Sequence, residues 1–230
     1  MSQFEQVPYI DTTFADTEFA ENPAPRCPVI LLLDTSGSMS GNPIRELNQG
    51  LISFKEEIMN DSMARKRVEV AVIHFGPVSI SNEFVTVEEY TPSQLSASGG
   101  TPMGQAIETA LDLLKTRKES YKRNAIPYYR PWIFLITDGG PTDNWKNAAH
   151  LVHQGEESKA FMFYAVGIQG ADFNVLRQIS ARDPLALKEL RFRDLFAWLS
   201  SSLKSVSQSN PGELVPLSNP TAPNGWGTVI

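Results

Sequence analysis

The amino-acid sequence predicts an α/β fold: a doubly wound, mostly parallel, Rossmann-like sheet with helices on both faces and one short antiparallel edge strand. Three observations lead there. Two runs of consecutive apolar residues, Val29-Ile30-Leu31-Leu32-Leu33 and Trp132-Ile133-Phe134-Leu135-Ile136, are too short to span a membrane and have no polar side, as strands buried on both faces of a parallel sheet require. Each run ends directly in a polar loop rich in Asp, Ser, Thr and Gly. Elsewhere apolar residues recur at three- and four-residue steps, so strands alternate with helices over short connections, which implies right-handed crossovers.

Taken in order, residues 1–26 are acidic and close on Asn22-Pro23-Ala24-Pro25, so they read as an extended N-terminal extension and not as a helix. The domain itself reads as residues 27–208. After the first strand, Pro43 stands at a helix start, and Ile44, Leu47, Leu51, Phe54 and Ile58 form one stripe to press on a sheet. Arg65-Lys66-Arg67 reads as a solvated turn before a β-branched strand over 68–75. Past the Gly76-Pro77 turn, 84–87 reads as the short edge strand. Ser98-Gly99-Gly100-Thr101-Pro102 is a turn opening a helix that carries Ile107, Ala110, Leu111 and Leu114. Beyond the 132–136 strand come a helix through Ala148, Ala149 and Val152, a strand over 161–166, and a short helix with Phe173, Leu176 and Ile179. A last strand follows over 185–190, then a helix with Phe196, Leu199, Leu203 and Val206. Residues 209–230, with four prolines, read as an irregular tail.

Composition narrows the function. With 41% hydrophobic and 20% charged residues the chain is an ordinary folded domain, because disordered chains are poorer in apolar residues. A net charge of -6 without a dense Lys/Arg block argues against a nucleic-acid groove. One cysteine, Cys27, excludes a disulfide within the chain and a cysteine-built zinc site. Residues 1–10 lack a basic stretch followed by an apolar core, and no later run is long enough to span a membrane, so the expectation is a cytoplasmic protein without membrane contact.

Ligands of open α/β sheets collect beyond the carboxyl ends of the strands. There the sequence places Asp34, Ser36 and Ser38 from one loop, Thr101 from a second and Asp138 from a third. All five offer oxygen, and no His or Cys joins them. That donor set suits magnesium, or manganese or calcium, and disfavours zinc and copper.

With these residues in place the chain resembles the von Willebrand factor A-type domains, with the Asp-x-Ser-x-Ser, Thr and Asp elements of their metal-ion-dependent adhesion site. The resemblance covers roughly 28–207. It implies that Ser36, Ser38 and Thr101 ligate the metal directly, with Asp34 and Asp138 acting directly or through water. It also implies that a partner protein supplies a Glu or Asp to the open position, and that Thr101 reaches the metal when the partner is bound, coupled to movement of the last helix. The loop 137–143 and the segment Phe196-Ala197-Trp198-Leu199-Ser200 with Trp226 are similar to the bacterial TerY/YegL-like proteins of tellurium-resistance gene clusters. That similarity implies an adaptor in a tellurite-resistance or stress-response assembly, with kinase-like or phosphatase-like partners and no catalysis.

Two rivals stand beside this reading. A magnesium-dependent phosphohydrolase would use Asp34 as a nucleophile, but the third position of an Asp-x-Asp pattern is Ser36, so the general acid is missing. A structural scaffold would use the metal only to stabilise its loops. No Gly-x-Gly-x-x-Gly or Walker loop follows any strand. Asp143 reads as a first-turn residue of the helix that follows it, His150 and His153 as surface residues, His74 as packed or loop-bonded, and Tyr128, Tyr129, Trp132 and Trp198 as packing residues.

Overall fold

A computed structural model describes residues 14–230, and its sheet is laid out around β1 (Cys27–Asp34), buried along its whole length. β1 pairs in parallel with β2 (Val68–Phe75) on one side and β4 (Trp132–Thr137) on the other, so the direction in which successive strands are added to the sheet reverses here. The seven-stranded order is β3-β2-β1-β4-β5-β6-β7, completed by β3 (Ser79–Thr86), β5 (Met162–Gly167), β6 (Leu185–Leu187) and β7 (Gly227–Val229). Register brings Asp34 level with Phe75, and Leu33 level with Ile136. The last residues of β1 and β4 therefore flank the switch-point crevice.

Alternation along the buried strands divides the core into two. Val29, Leu31, Leu33, Val70, Val72, Phe134 and Ile136 face α2 (Asn42–Met59) and α7 (Phe192–Gln208). Ile30, Leu32, Ala71, Ile73, Ile133 and Leu135 face α4 (Met103–Arg123), α5 (Lys146–Glu157) and α6 (Phe173–Ile179). The predicted mostly parallel sheet between two helical layers is the observed one. Among the described residues, no helix is long and apolar enough to cross a membrane.

Five local expectations are corrected. The edge strand β3 is eight residues long, antiparallel to β2 and starts at Ser79. Its first five residues, Ser79 to Glu83, carry a single apolar side chain, Ile80, and none is buried, so they lack the apolar signal that marks its last residues. The Arg65-Lys66-Arg67 stretch belongs to a short helix, α3 (Ala64–Arg67), and Arg67 reaches the carbonyl of Ser207 at 2.7 Å. The strand expected over 185–190 stops at Leu187, because Glu189 and Leu190 turn the chain with φ of 47° and 57°. The tail is not wholly irregular: β7 pairs antiparallel with β6, making a second antiparallel edge. Trp226, 3% exposed, anchors it beside Trp198, whose indole N–H donates to Ser218 O at 2.7 Å.

The lead-in expected to be extended contains α1 (Phe14–Glu21), which ends just before Pro23; residues 1–13 lie outside the described part of the chain. What holds this helix is a cluster of buried charge at the amino ends of β1 and β2. Glu69, fully buried, accepts hydrogen bonds from Arg26 Nε at 2.7 Å, from Arg117 Nε at 2.8 Å and Nη2 at 2.7 Å, and from the Tyr121 hydroxyl. Arg117 also pairs with Glu18 of α1 at 2.6 Å. The lone Cys27 is buried beside this cluster, and burial followed by the charge of Glu69 pushes its thiol up to about 12, so it remains a neutral packed group at pH 7.

Removing one member of a buried, hydrogen-bonded charge cluster leaves the others uncompensated. Glu69→Ala is accordingly expected to cost about 3–5 kcal/mol, read as a lowered midpoint in urea denaturation. A midpoint equal to that of the wild type would refute this account of the cluster.

Candidate metal site at the switch point

Four of the five sequence-predicted residues meet in one chain of hydrogen bonds. Asp34, the last residue of β1, is fully buried; its Oδ1 accepts from the backbone N–H of Ser36 at 2.8 Å and its Oδ2 from the Thr137 hydroxyl at 2.5 Å. The hydroxyls of Ser36 and Ser38 are 2.9 Å apart, and Ser38 Oγ donates to Asp138 Oδ1 at 2.7 Å. Ser36 and Asp138 are 2% and 7% exposed, whereas Ser38 opens to solvent. The site is thus a cradle with a closed floor and an open rim.

Thr101, 6% exposed, stands opposite Gly139, where an added Cβ would lie 3.6 Å from its hydroxyl. Its main chain is clamped: Thr101 N donates to the Thr142 hydroxyl at 3.0 Å, and Thr142 N donates to Thr101 O at 2.9 Å. The fifth residue is therefore at the same crevice, held through its backbone and not through the hydroxyl chain of the other four.

Loop-to-loop bonds fix these positions. Gly37 N donates to Gly99 O at 3.0 Å and Ser98 N to Thr35 O at 2.7 Å, lacing the first loop to the second. Gly99 adopts φ +70°, and a Cβ there would run into the carbonyl of Gly76, so glycine is required where these two backbones cross. Asp143 corrects its sequence reading: its carboxylate accepts from Gly104 N at 3.0 Å and Gln105 N at 2.8 Å, so it caps α4 and not the helix that follows it. His74 lies 3.4 Å from Thr35 Oγ1, and burial holds its pKa below 6.5. His150 and His153 are exposed on α5, as read from the sequence.

Sequence reasoning missed Thr137, Thr142 and the loop before α6. Thr137 ends an apolar strand and carries no motif of its own. In the loop before α6, Ile168 N donates to Thr137 O at 2.9 Å and Asp172 N to Gly139 O at 3.3 Å, so it buttresses the third loop from behind. These are contacts between distant segments with no fixed spacing in sequence.

The electrostatics of the cradle fit a hard cation. Burial, above all, raises the Asp34 pKa; the bonds from Thr137 and Ser36 lower it, and the nearby charge of Asp138 raises it again. Among the described residues, no Lys or Arg forms an ion pair with either carboxylate. Two carboxylates in a water-poor crevice without a compensating cation, beside three hydroxyl oxygens, are a donor set for magnesium, manganese or calcium. Among the described residues no three His, Cys, Asp or Glu side chains cluster as metal ligands. Hydroxyl oxygens would have to supply the remaining donors of a cation site.

Residues 29–195 match the von Willebrand factor type A domain family. The chain belongs to that family. The chain is also 31% identical over 130 residues to the inter-alpha-trypsin inhibitor heavy chain H4 of Sus scrofa; the match covers 54% of this chain and 13% of that protein. Among solved structures, the pilus adhesin SpaC from Lactobacillus rhamnosus GG, in its open conformation, aligns with a TM-score of 0.66 at 14% identity, over 80% of this chain and 30% of the adhesin. Proximal thread matrix protein 1 from the mussel byssus aligns at 0.52 with 20% identity, over 79% of this chain and 49% of that one. Identities this low establish a shared fold only. The chain spans less than half the length of each of these relatives.

Thr137→Val keeps the shape of the side chain and removes the donor to the buried Asp34 Oδ2. In EDTA it is expected to destabilise the protein by about 1–3 kcal/mol, measured by urea denaturation. An unchanged midpoint would show that this carboxylate oxygen is satisfied in another way.

Proposed function

We propose that this von Willebrand factor A domain is a divalent-cation-dependent protein-interaction module, and that its ligand is a Glu or Asp side chain of a partner protein. The observation that carries the reading is the cradle itself: Asp34, Ser36, Ser38 and Asp138, drawn from two loops, join in one chain of hydrogen bonds, with Thr101 beside them. Asp34, Ser36, Ser38, Thr101 and Asp138 would hold magnesium, or manganese or calcium in its place. Bound there, such a cation supplies an electrophilic centre for an incoming carboxylate.

The chain's own residues set the terms of that encounter. Asp34 has both carboxylate oxygens engaged by Ser36 and Thr137, so part of its charge is already spent on protein donors. Three of the five donor side chains are neutral hydroxyls, which leave a divalent charge less neutralised than a cage of carboxylates would. Exposed Ser38 and Gly37 open the rim to a partner, while buried Thr35 and Met39 fix the loop beneath. Catalysis is no part of this reading.

The adaptor role, in a cytoplasmic bacterial tellurite-resistance or stress-response assembly with kinase-like or phosphatase-like partners, rests on the resemblance of the 137–143 loop, the 196–200 segment and Trp226 described above. The reading includes no nucleic-acid or membrane partner, in keeping with a net charge of -6 and no dense Lys/Arg block.

A cation that binds only the native state at about a hundred times its dissociation constant adds about 2.7 kcal/mol, which for a chain of this size raises the melting temperature by roughly 5–10 °C. Wild type should show that rise in magnesium over EDTA, and should retain partners from lysate in magnesium alone. Asp34→Ala is expected to lose both effects, and Thr101→Ala to lose capture, each with a native circular dichroism spectrum. Equal capture in EDTA overturns the proposal; a thermal shift without any capture assigns the metal to the scaffold reading.

A further inference from the structure

The loop that carries Thr101 reaches the cradle at the end of a long stretch without helix or strand, from Val87 to Pro102, between β3 and α4. Tyr90 is tied to the end of β3 through its N–H to Thr86 O at 2.9 Å, and Ser98 to the first loop through its N–H to Thr35 O at 2.7 Å. Between these anchors, among the described residues, 91–97 form hydrogen bonds with a single partner, the side chain of Asn48 on α2. Asn48 Nδ2 donates to Leu95 O at 2.9 Å, and Leu95 N donates to Asn48 Oδ1 at 2.8 Å. One side chain thus grips both main-chain groups of one residue.

An amide side chain offers a donor and an acceptor side by side, as a neighbouring strand would. Asn48 and Leu95 are 6% and 5% exposed, so water does not stand in for either bond. In the chain, Asn48 interrupts the apolar face that Leu47, Leu51, Phe54 and Ile58 give to α2. The point it grips lies just before the tightest backbone crossing of the cradle, where Gly99 at φ +70° passes the carbonyl of Gly76. At about 3.3 Å of chain per residue, a slip of one residue would miss that crossing.

We infer that Asn48 is a positioning residue for the cradle: it holds the second loop in register and through that loop sets the place of Thr101 for the cation. The inference rests on the cation reading proposed above. Asn48 contributes no oxygen to the cradle, because both its polar atoms are engaged by Leu95. Its effect passes along the main chain, from Leu95 to the bonds that Ser98 and Gly99 make with Thr35 and Gly37, and so to Thr101. Groups that stand behind metal ligands change affinity by about 10–100-fold when they are lost, since they fix where the ligands lie.

The test compares two variants of the full chain. Asn48→Leu keeps the bulk of the side chain and removes both bonds to Leu95, whereas Tyr121→Phe removes a buried bond to Glu69 at the opposite end of the sheet and controls for general loosening. Manganese affinity, read from the electron paramagnetic resonance signal of the free ion, is expected to fall by about tenfold or more in Asn48→Leu and to stay at the wild-type value in Tyr121→Phe. Equal affinity in Asn48→Leu and wild type overturns the inference, as does an equal loss in both variants. Should Asn48→Leu not fold, Asn48→Ser, with one polar atom in place of two, is read in the same way. If wild type itself takes up no manganese, the cation reading fails, and amide hydrogen exchange in EDTA decides the positioning role. Faster exchange at Gly37 and Ser98 in Asn48→Leu than in Tyr121→Phe then supports it, and equal exchange refutes it.

Discussion

A carboxylate buried at the end of the central strand is the constraint on which the functional end of this molecule depends. Asp34 has no exposed surface, and burial penalises its charge. The surrounding chain meets that penalty with donors: the backbone of Ser36, the hydroxyl of Thr137 and, through Ser36 and Ser38, a connection to Asp138. None of these brings positive charge. The cradle is arranged to hold negative charge together, and a hard cation is the group that would relieve it.

The other end of the same two strands solves the same problem in the opposite way. Glu69 is as deeply buried as Asp34, yet it carries its counter-charges with it in Arg26 and Arg117. One end of the sheet is thus electrostatically closed and the other is left open. The closed cluster fixes structure, whereas the open one is where, on the proposed reading, a cation would bind. The loops at the open end are tied to one another, because Thr142 and Asp143 reach across to Thr101 and the start of α4.

The last helix is secured as tightly as the loops. Trp198 of α7 stacks on Trp132 of β4 at 6.4 Å and meets Trp226 edge-on at 5.7 Å, while the final strand pairs with β6. Movement of α7 along the sheet would carry Trp198 past both indoles and strain the segment that leads to β7. In this von Willebrand factor A domain the tail is therefore part of the mechanical surroundings of α7.

By itself the sequence determined the sheet and its helical layers and placed Asp34, Ser36, Ser38, Thr101 and Asp138 in the loops at one end of it, because each rests on short-range chemistry. Doubly apolar runs can only be buried strands, helical stripes can only face them, and an acid followed by two serines at a strand end lies where such sheets bind ligands. Tertiary structure alone decided the rest. α1 folds where prolines suggested extension because Arg117 and Arg26 grip Glu18 and Phe19 from afar. Asp143 caps α4 across a gap of some forty residues, Thr137 serves Asp34 from more than a hundred away, and β7 forms because Trp226 finds a place beside α7. Such contacts leave no periodicity in the chain; they come into being only when the sheet has brought their partners within hydrogen-bonding distance.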